Sequence, residues 1–256
     1  APGVYRGATR LTRTLEGPRL GGPGETIDWL VRMRRLDRSR MLDVLLARGA
    51  VGPATIDRIM APLRRFYEAA APAPMAGRLR LAALAARRAG AEAALLEQTT
   101  HLAPRDVATA RAALEASAAR VAGEIAERAE RGRMLDGHGD MRAEHVCLED
   151  RPVVFDRLEF APRLRIVDPV EEVARLGADC ATRGARFAAR RMQAALGEAL
   201  GGGEALAEHY LRAAAFDCAG RAAARIDDPA PHDAAHFVEK ARAYLMLVRD
   251  AAPFPA

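Results

Sequence analysis

Apolar and polar residues alternate along the first part of the chain, over residues 4–14 and again over residues 26–36. Alternation with a period of two is typical of a β-strand that has one buried face. Residues 16–25 are rich in glycine and proline and predict the turn that joins the two strands. Because two strands alone are marginally stable in water, this sheet either lacks partners or has them upstream of Ala1.

After residue 39 the apolar residues recur every three or four positions, which predicts a series of α-helices. Gly49 is typical of a helix C-cap, and Pro104 of a first helical turn. Asp168 followed by Pro169 predicts an N-cap and the start of another helix. The predicted helices cover residues 40–48, 54–70, 76–98, 104–131, 169–182, 185–200, 204–214 and 233–251.

The helical spacing is interrupted at Gly132 by a polar segment, residues 134–146, that contains two glycines and two histidines. Short apolar runs at residues 146–148 and 152–155 predict two strands on either side of a turn. Loops that are carried by a rigid scaffold are where catalytic groups concentrate. We therefore expect the functional residues in this segment.

The basic residues exclude several kinds of site. Of the 39 lysines and arginines all but one are arginine, and the single lysine is Lys240. A Walker A loop, which needs a lysine after a glycine-rich turn, is therefore absent, and so is a lysine-based catalytic site in residues 1–239. The formal net charge of +5 could attract an anionic partner, but the arginines are mixed with glutamates and aromatic residues make up only 5%. This pattern does not predict a nucleic-acid-binding surface.

The three cysteines indicate a reducing compartment, because their number is odd and they form no CxxC pair. Cys147 is expected to be a small buried residue rather than a nucleophile. No segment resembles a signal peptide, and arginine interrupts every apolar run before it reaches about 18 residues. We expect a cytoplasmic protein without a membrane segment. The start Ala-Pro-Gly-Val, without an initiator Met, favours a fragment of a longer polypeptide.

Residues 136–156 bring together the side chains for phosphoryl-transfer chemistry. The tripeptide His138-Gly139-Asp140 is followed by His145 and, after an apolar strand, by Asp156. A carboxylate on a tight loop can accept the proton of a hydroxyl that attacks a phosphoryl group. A second carboxylate after the next strand can hold Mg²⁺, since hard cations prefer oxygen ligands, and a side chain between the two can take a second metal position.

The string GHGDMRAEHVCL…PVVFDRLEF…LRIVDPVEEVARL resembles the HGDxxxxN…hhhD pattern of the aminoglycoside phosphotransferase-like kinases. It is similar to an uncharacterised bacterial branch of that family, in which some members carry an additional P-loop nucleotide-binding domain. The resemblance runs over residues 4–249 and has its specific core at residues 137–176. It implies a fused or partner P-loop domain as one candidate partner.

The resemblance implies an α+β, protein-kinase-like fold. Residues 1–36 would be the truncated remnant of a β N-lobe, with two strands and the hinge. Residues 37–256 would be a mostly helical C-lobe with the catalytic hairpin at residues 134–156. Asp168 would cap a helix behind the catalytic loop and hold that loop.

The resemblance also implies roles for individual residues. Asp140 would be the catalytic base and His138 would brace its loop. Asp156 would bind Mg²⁺, and Glu159 could reach the metal or a cationic substrate group. His145 replaces the asparagine of the family pattern, and imidazole is a poorer Mg²⁺ ligand than an amide oxygen. His145 could instead bind a phosphate, require a different metal or be structural.

For ATP, the resemblance implies a hinge at Arg34, Arg35 and Leu36, whose backbone would receive adenine. Trp29 is expected to pack near this hinge. Lys240 lies in the last predicted helix and cannot be the lysine that holds the α- and β-phosphates in kinases. We therefore expect a fragment that lacks the glycine-rich loop and this lysine, or a degenerate kinase.

Three hypotheses follow. The first is an ATP- and Mg²⁺-dependent phosphotransferase that acts on a small hydroxylated molecule. The alternative is a pseudokinase or nucleotide-binding regulatory module without transfer activity, and a third is a helical interaction domain. Acidic residues are mixed with arginine in the helices that would bind the acceptor, so no site for a polycationic antibiotic is predicted.

Overall fold

A computed structural model describes residues 3–228 and 233–250, which form an α+β fold that is 60% helical. The predicted class and the mostly helical character of the C-terminal part are thereby confirmed. Residues 1–2, 229–232 and 251–256 of the two predicted units lie outside the described ranges.

An antiparallel sheet has β1 (Tyr5–Thr14) at its centre, between β2 (Gly17–Leu20) and β3 (Glu25–Met33). The prediction of one continuous turn over residues 16–25 was wrong, because the first part of this segment pairs with β1 as a third strand. The turn itself is confined to the few residues between β2 and β3. At Gly24, where φ is +129°, a Cβ would lie 2.3 Å from the Arg13 carbonyl oxygen, so this turn requires glycine.

β3 is an edge strand, and all nine of its residues are exposed. Trp29 is 62% exposed, so the prediction that it packs near the hinge was wrong. The alternating pattern of this segment correctly predicted a strand. It did not predict that the apolar face of the strand would remain open in the described part of the chain.

Eight α-helices account for most of the described chain. They are α1 (Leu42–Ala47), α2 (Pro53–Ala69), α3 (Gly77–Glu97), α4 (Pro104–Glu130), α5 (Pro169–Thr182), α6 (Phe187–Leu200), α7 (Glu204–Ala223) and α8 (Ala234–Asp250). All lie within a few residues of their predicted bounds except α7, which continues well beyond residue 214. Gly220 lies within α7 where a Cβ would meet the backbone of Ala91, so α7 and α3 approach closely there.

α5 is the central helix of the fold, and every residue from Pro169 to Ala181 is buried. It packs against α6, α7 and α8. Its buried face includes four charged residues, Glu171, Glu172, Arg175 and Asp179. Buried charges are tolerated when they are paired, so these side chains require partners from the surrounding elements.

Two small antiparallel pairs interrupt the helices. β4 (Leu135–Asp136) pairs with β7 (Ile166–Val167), and β5 (Val146–Cys147) pairs with β6 (Val153–Val154). The β5–β6 hairpin confirms the two short strands predicted from the apolar runs. Residues 137–145, called the HGD loop below, lie between β4 and β5 and are thereby held between the two pairs.

Candidate active site

The carboxylate of Glu172 on α5 holds the HGD loop in place. The Glu172 residue is only 3% exposed. Its Oε2 accepts from the backbone N–H of His138 and from the hydroxyl of Tyr67, both at 2.9 Å. Its Oε1 accepts from the backbone N–H of Gly139 at 2.6 Å. Residue 137 must be glycine, because a Cβ there would lie 2.7 Å from Glu172 Oε2. Burial and the Glu172 charge raise the pKa of Tyr67, which therefore remains a donor.

His138 joins the HGD loop to the end of β6. Its Nδ1 accepts from the backbone N–H of Asp140 at 3.3 Å, so its Nε2 carries the proton and donates to the Phe155 carbonyl at 2.7 Å. Burial lowers the pKa of His138, which keeps the ring neutral in this arrangement. The His138 side chain thus joins the backbone of Asp140 to that of Phe155, which is the position that the bracing role requires.

The carboxylate of Asp140 is 15% exposed and lies between two guanidinium groups. Arg142 Nη2 is 3.1 Å from Oδ2, and Arg221 Nη1, from α7, is 3.4 Å from Oδ1. The backbone carbonyl of Asp140 lies 2.9 Å from Nδ1 of His145. Asp140 is therefore fixed on both sides, with a small part of its carboxylate open to solvent.

His145 connects Asp140 to Asp156. When Nδ1 donates to the Asp140 carbonyl, a neutral ring presents a lone pair at Nε2, and Arg142 Nη2 donates to this atom at 3.2 Å. Asp156 Oδ2 lies 3.3 Å from the same Nε2. Arg142 thus already supplies a positive charge to the nitrogen that faces Asp156. The structure thus brings together three of the predicted site residues, Asp140, His145 and Asp156.

Asp156 has an unusual backbone conformation. Its φ is +62°, and no other non-glycine residue in the described ranges has a positive φ. Its N–H donates to the hydroxyl of Tyr5 on β1 at 2.8 Å, and its side chain is 67% exposed. Such a conformation costs about 1–3 kcal/mol and is found most often at functional sites. The contact with Tyr5 also links the sheet to the site.

Glu159 does not join this group. Its side chain is exposed, and its carboxylate forms no hydrogen bond or ion pair with a described residue. Within residues 3–228 and 233–250, three or more His, Cys, Asp or Glu side chains nowhere converge as a metal-binding group. A cation near Asp156 would therefore take most of its ligands from solvent or substrate.

The predicted hinge follows β3. The Arg34 guanidinium makes a bidentate contact with Glu149, at 2.7 and 2.8 Å, whereas Arg35 is exposed and Leu36 is half-buried. A cavity of about 800 Å³, called the hairpin cavity below, lies between β1, α2 and the β5–β6 hairpin. Arg34, Arg35 and Leu36 do not line it. Among its lining residues are Tyr5, Arg58, Phe66, His138, Phe155 and Arg157.

Asp168 caps α5 as predicted, since its Oδ1 accepts from the N–H of Val170 at 3.0 Å. It does not hold the HGD loop, however. Its carboxylate is paired with Arg128 at 2.7 and 2.8 Å, and Glu172, one turn further along α5, contacts the loop instead. Cys147 is buried, as expected, and burial raises the pKa of its thiol.

Several residues of the site were missed by the sequence analysis. Glu172 and Arg142 lie inside the string that carries the family resemblance, which is the signal that could have found them. Arg221 is 81 residues from Asp140 and has no such signal. Arg157 and Arg165 bind Asp136 at 2.7 and 2.8 Å and hold the pKa of that carboxyl below its usual value, chiefly through Arg165.

Comparison with known proteins gives no matching family model, no matching curated protein and no matching solved structure. The resemblance to aminoglycoside phosphotransferase-like kinases therefore stays a prediction. In the described ranges, no helix combines the length and the apolar character needed to cross a bilayer. The cytoplasmic location also stays a prediction.

Proposed function

We propose that this chain carries catalytic residues of an ATP-dependent phosphotransferase with a protein-kinase-like fold, which acts on a small hydroxylated molecule. The contiguous group of Asp140, His145 and Asp156 is the observation that carries the proposal. One carboxylate is nearly enclosed and fixed, and the other is open to solvent. This division suits a base that orients a hydroxyl and a ligand that binds a hydrated cation.

Asp140 would orient the acceptor hydroxyl and take its proton. As the acceptor oxygen bonds to the γ-phosphorus, the bond from that phosphorus to the β,γ-bridging oxygen breaks, ADP leaves and the hydroxyl proton passes to Asp140. Positioning supplies much of the rate in phosphoryl transfer. The contacts from Glu172 and His138 therefore matter, because they fix the backbone that carries Asp140.

The residues present fit Mg²⁺ at Asp156. Its exposed carboxylate is the kind of oxygen ligand that Mg²⁺ prefers, whereas Nε2 of His145 already accepts from Arg142. When bound, Mg²⁺ would neutralise charge on the phosphates. The hairpin cavity falls within the usual 300–1,000 Å³ of ligand pockets, at about 800 Å³, and we assign it to the nucleotide. Adenine contact with Arg34, Arg35 and Leu36 stays a prediction.

The test replaces Asp140 by Asn in the full-length protein. Transfer from γ-labelled ATP is measured over sugars, aminoglycosides and amino alcohols, and ATP binding is measured by calorimetry. We expect turnover to fall by about 10²–10⁴, because a positioned general base contributes this much, while the Kd for ATP changes less than about threefold. Asp250→Asn, at an exposed site on α8, is the matched control. Unchanged turnover in Asp140→Asn would refute the proposal.

One observation favours the pseudokinase alternative. Arg142 bridges Asp140 Oδ2 and His145 Nε2, at 3.1 and 3.2 Å, and so occupies the side of the carboxylate that an acceptor could approach. A nucleotide-binding module that keeps this bridge would bind ATP and Mg²⁺ without transfer. Calorimetric ATP binding, combined with no product from any acceptor, would favour this second function.

A further inference from the structure

A second cavity, called the basic cavity below, is lined by two arginines, Arg142 and Arg221, that contact Asp140. It has a volume of about 90 Å³ and lies between the HGD loop, α5, α7 and α8. Six cationic side chains but only two carboxylates, Glu144 and Asp179, line it. The cationic side chains are those of Arg142, Arg175, Arg183, Arg221, Arg225 and Lys240.

Each of the five arginines forms an ion pair with a carboxylate, whereas Lys240 pairs with none in the described part of the chain. Glu144 pairs with Arg142 at 2.6 Å. Asp179 accepts from the Ala143 N–H at 2.8 Å, from the Tyr244 hydroxyl at 3.1 Å and from Arg183 at 3.0 Å. Asp179 is thus satisfied by its three donors, and the positive charge that no described carboxylate pairs with is that of Lys240.

Some of the cations retain capacity for another acceptor. Lys240, the single lysine of the chain, forms no hydrogen bond or ion pair with a described residue. Arg142 Nε is buried and has no acceptor. Arg221 reaches Asp140 at 3.4 Å and Asp217 at 3.2 Å, which are long contacts for charge-assisted hydrogen bonds.

The basic cavity is connected to the candidate base. Arg142 and Arg221 line the cavity and also contact the two carboxylate oxygens of Asp140. An anionic group held by Lys240 and these arginines would therefore place the rest of a small molecule beside Asp140. The volume suits one carboxylate or phosphate group and excludes a nucleotide, which the hairpin cavity can accommodate instead.

We propose that the basic cavity binds an anionic group, a phosphate or a carboxylate, of the acceptor whose hydroxyl lies at Asp140. The identification of this ligand as the acceptor rests on the proposed phosphotransferase function, whereas anion binding does not. The acceptor is therefore a small hydroxylated acid or phosphate ester. A polycationic acceptor would be repelled from this side of Asp140.

Calorimetric titration with inorganic phosphate and with acetate, at an ionic strength held constant with sodium chloride, tests the site in the full chain. We expect Lys240→Gln to weaken anion binding about tenfold, the equivalent of one charge-assisted hydrogen bond, and Lys240→Arg to restore it. Arg105→Gln, which removes one exposed positive charge on α4, is the matched control. Heats of titration no larger than those measured with chloride would overturn the proposal. So would anion binding by Lys240→Gln that equals anion binding by the wild type.

The relative affinity for the two anions separates a phosphate ester from a carboxylic acid as the source of the group. Transfer from ATP to glycerol, glycerol phosphate and glyceric acid then tests the acceptor class. We expect a higher kcat/KM for the anionic compounds, and a raised KM with little change in kcat in Lys240→Gln. Equal efficiency with glycerol would overturn the inference and leave the phosphotransferase standing. Anion binding that depends on Lys240, with no transfer to any compound, would support the anion site and count against the phosphotransferase.

Discussion

Individual buried side chains hold the backbone of the candidate site in place more than the exposed side chains of the site do. Glu172 accepts three hydrogen bonds, two of them from the backbone of the HGD loop, and so replaces the water that this carboxylate loses on burial. His209 on α7 is also buried and ionisable, but burial favours its neutral form. Its Nδ1 lies 2.9 Å from the Ser117 hydroxyl, and the charges that act on it are those of Arg88, Arg120 and Arg212.

The stability of the protein should therefore depend on pH through His209. Burial, followed by the charges of Arg88, Arg120 and Arg212, lowers the pKa of His209 to about 4. The unfolded residue, with a pKa of about 6.5, takes up its proton first as the pH falls. Its contribution is thus fully present above about pH 6.5 and is lost towards pH 4, by roughly 3 kcal/mol.

Urea unfolding at pH 7 and pH 4 checks this prediction by comparing the wild-type chain with His209→Asn, which cannot titrate. The loss of stability between the two pH values should be smaller by roughly 3 kcal/mol in the variant. His236→Asn, at an exposed histidine on α8, is the control and should follow the wild type. Equal pH dependence of wild type and His209→Asn would contradict the assignment.

At the level of elements, the start of α5 connects the helical core to the candidate site. Asp168 is fully buried, caps the helix and forms a bidentate pair with Arg128 of α4. The helix that begins there carries Glu172, which holds the HGD loop. A displacement of the N-terminus of α5 would therefore also displace Asp140.

Asp168→Ala should destabilise the fold by about 3–5 kcal/mol, because it leaves the Arg128 charge buried without its partner. Asp168→Asn should cost less, since the amide oxygen can still accept from the Val170 N–H. Chemical denaturation gives both values. Asp106→Ala removes a partly exposed pair with Arg249 at the start of α4 and should cost no more than about 1 kcal/mol. Equal losses for Asp168→Ala and Asp106→Ala would refute this account.

At the level of the whole molecule, the sheet and the helices differ in how much they bury. All of β3 and most of β1 and β2 are exposed or half-buried, whereas nearly all of α5 is buried. The sheet is tied to the site by Tyr5 with Asp156 and by Arg34 with Glu149. These are polar contacts at two points, so the sheet should open more readily than the helical core.

Hydrogen exchange measured by mass spectrometry tests this difference. Amides of β1–β3 should exchange at least about tenfold faster than those of α5, because local opening of weakly buried elements requires less free energy than global unfolding. Tyr5→Phe should increase exchange in the sheet further, since it removes the acceptor for the Asp156 N–H. Equal protection of β3 and α5 would show that the sheet unfolds together with the core.

The sequence by itself determined the features that depend on neighbouring residues. Apolar spacing located the eight helices, Gly49 and Asp168 marked helix ends, and the apolar runs around residue 150 located the β5–β6 hairpin. His138, Asp140, His145 and Asp156 lie within one short segment, so a single loop and hairpin suffices to bring them close together.

Only the tertiary structure decided which distant side chains surround that segment. Glu172 and Tyr67 reach the HGD loop, Arg221 reaches Asp140, and Lys240 reaches the basic cavity through the packing of α2, α5, α7 and α8. The exposure of Trp29 likewise depends on which elements cover β3. These contacts join residues far apart in the chain, and, apart from Glu172, which lies inside the family string, they leave no periodic pattern or local motif by which a single sequence could reveal them.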